Sequence, residues 1–311
     1  MKFDYIKCHG SGNEFVMVDS LDFNLEGVDL AAFSRFICNR ETAVGADGVL
    51  LLVYRDGLYG MRMFNPDGSE AEMCGNGIRC VARLAEEKIA SGKFDMFSGK
   101  CTYGITREED IFPSIPTYGV DLGVRLSSQD FGFANGAEQF ISQKIERLDD
   151  TLLWTAINVG NPHIIAEVEE IDYEHLTRLG ERVLELHDDF PKGINVSLVK
   201  VLDSNRIFVA TYERGAGITA SCGTAMTSSA TAMALNGRCA YDEVIEVENR
   251  GGAVRCICHK DGGLHTQLIG NASYISHGVV EVEEGEFSYT EMGLYDNEIA
   301  LYNEFLASKK R

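Results

Sequence analysis

Residues Met73–Cys80 read MCGNGIRC, and residues Ser221–Ser228 read SCGTAMTS. Each segment places a cysteine directly before a glycine, ahead of a helical pattern: Ile78–Ala90 in the first case and Ala225–Leu235 in the second. Cys74 and Cys222 lie 148 positions apart, and the same offset relates other features. Gly12-Asn13 falls on Gly160-Asn161, Gly45 on Gly193, Phe64-Asn65 on Tyr212-Glu213, and Gly75 on Gly223. Glycine is common here (32 residues), so the glycine matches alone are weak. The aromatic-polar pair and the Cys-Gly pair carry the comparison. In the same order, both halves show a strand after Gly-Asn, a helix, a Gly with an apolar strand, the aromatic-polar pair, and a helix-opening Cys-Gly. One ungapped offset over these separated features predicts an internal duplication.

Short apolar or alternating stretches bounded by Gly, Asn or Asp predict strands in both halves. They are NEFVMVDS, GVLLLVY and GLYGMRMFN in the first, and TLLWTAINV, HIIAEVEE, NVSLVKVLD, RIFVATYE and EVIEVENR in the second. Helices are fewer. Leu30–Cys38 and Tyr173–Leu186 join the two that follow the Cys-Gly pairs. A terminal helix is predicted over Tyr289–Lys310, where Leu, Ile, Tyr and Phe recur at helical spacing before a basic end. The fold class is therefore α+β: two copies of one strand-rich unit, each with a central helix, presenting two equivalent thiols across a cleft. The boundary is expected near TYGVDLG (Thr117–Gly123), with SYISHGVVEV returning to the first half. The expected domains are 1–118 with 271–311, and 119–270.

Hydrophobic residues make up 45% and charged residues 24%, an ordinary globular balance. The formal net charge of −20 repels phosphate backbones and anionic lipid, which argues against nucleic-acid and membrane partners. No apolar run reaches the roughly 20 residues that span a bilayer, and MKFDYIKCHGSG lacks a signal pattern. A cytoplasmic protein is expected. Its nine cysteines are odd in number and scattered, unlike a disulfide framework. Cys8, Cys38, Cys101 and Cys239 read as small hydrophobes.

A thiol at a helix N-terminus is expected to have a lowered pKa. The small residues behind each cysteine let a ligand approach the backbone, whose N–H groups suit a carboxylate. Two such ends facing each other suit inversion at a carbon next to a carboxylate. One thiolate removes the α-proton, the other thiol returns one on the opposite face, and the N–H dipoles stabilise the developing charge. This chemistry needs no cofactor and no metal. There is no phosphate-loop motif, and GSGNEF leads into a strand rather than a helix.

These residues resemble the diaminopimelate epimerase family of pyridoxal-independent amino-acid epimerases. The resemblance rests on HGSGNEFVMVD, GADG, FNPDGSEAEMCGNGIRC, NVGNPHIIAEV, INVSLVKV and YERGAGITASCGT, and extends to about Val282. It implies two similar, pseudo-symmetric domains, each a barrel-like antiparallel or mixed sheet wrapped round a central helix, with the active site between them. It implies Cys74 and Cys222 as catalytic bases. Gly75, Asn76, Gly223 and Thr224 would hold the reacting carboxylate. Asn13, Asn65, Asn161, Asn195 and Arg214 would hold the rest of the substrate, with Arg214 on a distal carboxylate. Glu213 would hold the α-ammonium, and His163 and Glu213 would tune the thiols. The family's dimers imply a homodimer.

Three features depart from the family pattern. Ile218 replaces the usual Glu after GAG, Ala225-Met226 replaces a second Gly after CGT, and residues 283–311 extend past the usual end. The substrate expected first is LL-diaminopimelate, converted to the meso form. A racemase of another amino acid such as histidine is the second reading. A different class, a thiol-based metal or redox protein, would rest on CICH (Cys256, Cys258, His259) or on Cys74 with Cys80, and a non-catalytic binding protein that kept the fold is a third reading. Zinc sites usually show C-x₂₋₄-C spacing, whereas C-x-C places both thiols on one face of a strand.

Overall fold

The computed structural model describes residues 1–89, 91–126, 131–134 and 136–309. The chain divides into two compact units, Met1–Val120 with Ile269–Arg311, and Asp121–Leu268. In the first unit the sheet runs, in hydrogen-bonding order, Glu286–Leu294, Ser273–Glu283, Lys2–Gly10, Asn13–Asp19, Val49–Arg55, Leu58–Phe64, Lys93–Ser98, Cys101–Arg107 and Thr117–Gly123. Two of these pairings are parallel: Asn13–Asp19 with Val49–Arg55, and Leu58–Phe64 with Lys93–Ser98. Parallel neighbours require a crossover, and helices α1 (Leu30–Ile37) and α2 (Gly75–Ile89) supply them.

The second unit repeats this plan. Asp149–Asn158 pairs antiparallel with Pro162–Glu167, which lies parallel to Asn195–Asp203. Arg206–Glu213 pairs with Asn195–Asp203 on one side and lies parallel to Val244–Asn249 on the other. Helices α3 (Tyr173–Glu185) and α4 (Gly223–Leu235) make the two crossovers. The duplication is legible in the element bounds. The offset of 148 carries Thr117–Gly123 onto His265–Asn271 and the first residue of α2 onto that of α4. It slips at one hairpin. Gly10 pairs with Asn13 across a two-residue turn, but Asn158 pairs with Pro162 across three residues. His163 therefore occupies the strand position of Glu14.

The two central helices are buried for a reason that their sequences show. Helix α4 is built of Gly, Ala, Ser, Thr, Met and a final Leu, and every residue from Gly223 to Ala234 is buried. It packs against strands on several sides, so it has no solvent face to make polar. Two of its threonines bond within the helix, Thr227 Oγ1 donating to Gly223 O and Thr231 Oγ1 to Thr227 O, both at 2.8 Å. Helix α2 is buried from Gly75 to Ala82 and reaches solvent at Glu87 and Lys88.

The terminal segment corrects one expectation. Tyr289–Leu294 is not helical but belongs to strand Glu286–Leu294, paired with Ser273–Glu283. Glu284 and Gly285 both take positive φ (51° and 86°), the geometry of a tight hairpin turn, and this sets the strand before helical spacing can act. Helix α5 begins only at Asp296 and runs to Lys309; Lys310, like Ala90 at the expected end of α2, lies outside the described residues. Helix α5 is fastened to α2. Glu298 accepts two 2.7 Å hydrogen bonds from the Arg83 guanidinium and another from the Tyr274 N–H. Tyr302 lies edge-on to His9, with ring centroids 4.3 Å apart.

Candidate active site

In the first unit Cys74 stands immediately before α2. Its carbonyl accepts from the Ile78 N–H at 2.9 Å, and its Sγ accepts from the Gly77 N–H at 3.3 Å. The thiol is thus the capping group for a helix whose first amides would otherwise lack partners. Asn13 Oδ1 lies 4.0 Å from Cys74 Sγ and 3.4 Å from Asn76 Nδ2. Asn13 is placed by the Ser11-Gly12 turn, both residues at positive φ, and by a 2.8 Å bond from its Nδ2 to Asp47 Oδ2. Asp47 in turn is held by Arg40 at 2.8 Å.

Cys222 is the N-cap of α4, and Thr224 Oγ1 lies 3.4 Å from its sulfur. That hydroxyl is 3.2 Å from His163 Nε2, which also bonds Asn161 Oδ1 at 2.9 Å. A chain of contacts therefore joins Cys222, Thr224, His163 and Asn161. Asn195 Oδ1 accepts the Arg214 N–H at 3.0 Å, fixing the backbone where the strand bearing Glu213 ends. Thr219 Oγ1 donates to Glu213 Oε1. Arg214 is exposed, with its guanidinium donating to Lys192 O. Asn65 sits in a turn in the first unit, its Nδ2 donating to Ser69 Oγ at 3.0 Å.

The electrostatics reverse one expectation. Both thiols are pushed up, not down. Burial raises Cys74 to about 11, against the opposing pull of the Gly77 and Asn76 amides and the Arg79 guanidinium. Burial also raises Cys222 well above the ordinary thiol value, and the neighbouring Glu213 carboxylate adds to it. The helix amides act in the expected direction, but removal from water outweighs them.

Burial, with a smaller contribution from Arg214, lowers His163 to about 3, so it stays neutral near pH 7. The unfolded chain binds the proton that the folded chain refuses. This part of the stability is complete above the ordinary histidine pKa of about 6.5 and is lost progressively as pH falls toward 3. His9, lowered to about 4 by burial, has the same sign. Urea midpoints measured from pH 7 down to pH 4 should fall less steeply for His163→Gln than for the unaltered chain. Parallel curves would mean that His163 gains its proton without opposing the fold.

The departures fall inside the fold. Ile218 pairs with Tyr212 in a short antiparallel ladder and packs on the core of the second unit. Ala225 is buried within α4, and its backbone N–H is among the groups that lower Cys222. Met226 is buried, with its sulfur 3.0 Å from Asn249 Nδ2. Cys256 and Cys258 both point inward from strand Gly252–His259, while His259 lies on the other face and bonds Asp242 at 2.7 Å. The three side chains therefore do not converge. Sequence reading missed Asp47 and Arg79. Asp47 was findable, because the offset of 148 places it on Asn195.

Among the described residues no helix is long and apolar enough to cross a membrane. The sequence profile of diaminopimelate epimerase matches residues 5–110 and 155–275. The chain is 38% identical, over 314 residues, to diaminopimelate epimerase of Clostridium acetobutylicum, a match covering 98% of this chain and 94% of that protein. It is 35% identical, over 321 residues, to diaminopimelate epimerase of Enterococcus faecalis, covering 96% of each. Among solved structures, a phenazine biosynthesis protein of the PhzF family from Bacillus anthracis matches 91% of this chain and 100% of its own, with a TM-score of 0.65 at 15% identity. At that identity the likeness is one of fold.

Proposed function

The chain belongs to the diaminopimelate epimerase family, and from that premise we propose how its residues perform the reaction. It is an isomerase that acts on a small amino acid, and the reaction is epimerisation of diaminopimelate. In the mechanism we infer, one cysteine as thiolate takes the α-proton: the C–H bond breaks and an S–H bond forms. The electron pair spreads into the carboxylate, held by N–H groups at Gly75-Asn76 and Gly223-Thr224. The other cysteine then gives its proton to the opposite face, leaving the enzyme with thiol and thiolate exchanged.

The observation that supports this most is the repeated placement of a thiol directly before a buried helix, Cys74 before α2 and Cys222 before α4. The raised thiols fit the task, since a thiolate that holds its proton tightly is the stronger base. The α-ammonium of the substrate, paired with Glu213, would favour thiolate formation on binding. Asn13, Asn65, Asn161, Asn195 and Arg214 would hold the remainder of the substrate, and His163 would orient Thr224 beside Cys222. A cytosolic homodimer is the state we infer with this reading. Strand Glu286–Leu294 exposes Tyr289, Met292 and Leu294, and light scattering returning a monomer mass would reject the dimer.

Proton NMR in D₂O under reducing conditions tests the substrate. The α-hydrogen of LL-diaminopimelate should exchange and the meso isomer appear. Exchange of L-histidine, with diaminopimelate untouched, would keep the chemistry and overturn the substrate.

A further inference from the structure

At one pair of buried positions the duplicated helices differ in charge. Arg79 in α2 is fully buried. Its Nη1 donates to Gly75 O at 2.9 Å, its Nη2 to Asn76 Oδ1 and to Ser11 Oγ at 3.0 Å each, and its Nε to Asn271 O at 3.2 Å. In the second unit Thr227 takes this place, 148 residues on, and its hydroxyl donates to Gly223 O. Gly223 is the counterpart of Gly75. Both side chains therefore grip the same helical carbonyl, one with a cation and the other with a neutral hydroxyl. Because burying a guanidinium is costly and a hydroxyl suffices for that bond, the charge calls for a separate reason.

The groups around each thiol suggest what that reason is. Beside Cys74 stand Arg79 and Cys80 from α2, with the neutral amide of Asn13 from strand Asn13–Asp19. His9, Glu14, Glu298 and Tyr302 lie further out, around the guanidinium and the neutral imidazole of His9. Beside Cys222 stand the Glu213 carboxylate and the Thr224 hydroxyl, with the neutral His163 behind them and Arg214 beyond it. One half presents a cation to its thiol, and the other presents a carboxylate.

Building on the two-thiol reading, we propose that Arg79 is a positioning residue that makes the pair unequal. It orients the Asn76 amide for the reacting carboxylate and keeps positive charge beside Cys74, so the proton leaves Cys74 before Cys222 in the substrate-free enzyme. The stereoisomer whose α-hydrogen meets Cys74 then enters a site already prepared for it. The other isomer must wait for the proton to change sides. The neighbouring charges agree, since the Arg79 guanidinium pulls Cys74 down whereas the Glu213 carboxylate pushes Cys222 up.

The test uses the intact enzyme without substrate. Iodoacetamide is applied from pH 8 to 12, a window that contains the raised Cys74 midpoint near 11, and each cysteine is quantified by peptide mass spectrometry. The thiolate sulfur forms a bond to the CH₂ carbon and iodide leaves, so the midpoint of each labelling curve reports ionisation independently of access. The midpoint for Cys74 should lie below that for Cys222 by about one pH unit or more. Arg79→Lys should keep that order. Arg79→Gln, which keeps donors but loses charge, should move the Cys74 curve up and leave the Cys222 curve in place. A Cys222 curve that comes first, or an Arg79→Gln gap equal to that of the unaltered enzyme, overturns the proposal. If Arg79→Gln does not fold, the order of midpoints in the unaltered enzyme still decides. Failure here leaves the two-thiol mechanism standing, because that mechanism falls only if single cysteine variants still invert substrate.

Discussion

Cys74→Ala and Cys222→Ala should each lower kcat/KM for net inversion by about 10⁴-fold, the upper range for loss of one general acid or base. Cys74 accepts the Gly77 N–H at the start of α2, Cys222 caps α4, and the proposed mechanism requires both as acid and base. The double variant should be little worse than either single one, because inversion needs both partners and fails when one is gone. A finer signature is also expected. An enzyme left with one thiol can remove an α-proton and return a deuteron to the same face. In D₂O each single variant should therefore exchange the α-hydrogen of one diaminopimelate isomer without inverting it, and the two variants should choose opposite isomers. Retained inversion in both variants would remove the two-base mechanism. Exchange of the same isomer by both would mean that the thiols do not serve opposite faces.

The second large effect is on substrate recognition. Arg214→Met keeps the length of the side chain and removes its charge. Arg214 lies just past the end of strand Arg206–Glu213 and is exposed. Its N–H is tied to Asn195, its guanidinium is anchored on Lys192 O, and Gly193 at φ 65° has no Cβ to crowd the Arg214 Cδ, which would come within 3.3 Å. A bidentate bond to the distal carboxylate is worth about 3 kcal/mol, so kcat/KM should fall roughly 100-fold, mostly through KM. Arg214→Lys should be intermediate, because an ammonium cannot match both oxygens. An unchanged KM in Arg214→Met would move the distal carboxylate to another part of the site.

How much of this was legible depended on whether local rules and tertiary context agreed. NVSLVKVLD and RIFVATYE are strands to the residue, Asn195–Asp203 and Arg206–Glu213, because alternating β-branched residues meet turn signals at both ends. The Cys-Gly repeat marked both central helices, although each starts at its glycine, ahead of its first periodic apolar residue. Tyr289–Leu294 misled, since Tyr289, Met292 and Tyr295 recur every third residue as on a helix, while the Glu284-Gly285 turn commits the segment to a strand. The single-residue slip at the second hairpin was invisible in an ungapped comparison, because the connection before Asn195 absorbs it. The thiols' upward shift depends on burial, which spacing does not report. Arg79 stood inside the quoted motif, yet nothing in a sequence says that an arginine on a helix will be wholly enclosed.

The way the sheet of the first unit closes also has a consequence for synthesis. Strand Lys2–Gly10 pairs with Ser273–Glu283, Lys2 opposite Glu281, whereas Asp121–Leu268 is one uninterrupted stretch. A ribosome delivers every strand of the second unit before it delivers the partner of Lys2–Gly10. Until then that strand has one unpaired edge exposed in the crowded cell, a site for mispairing with other chains. The Arg83–Glu298 fastening between α2 and α5 waits longer still. In order of completion the two halves are thus reversed. The later-made half, with Cys222, can be finished while the half holding Cys74 is still waiting for its last strands.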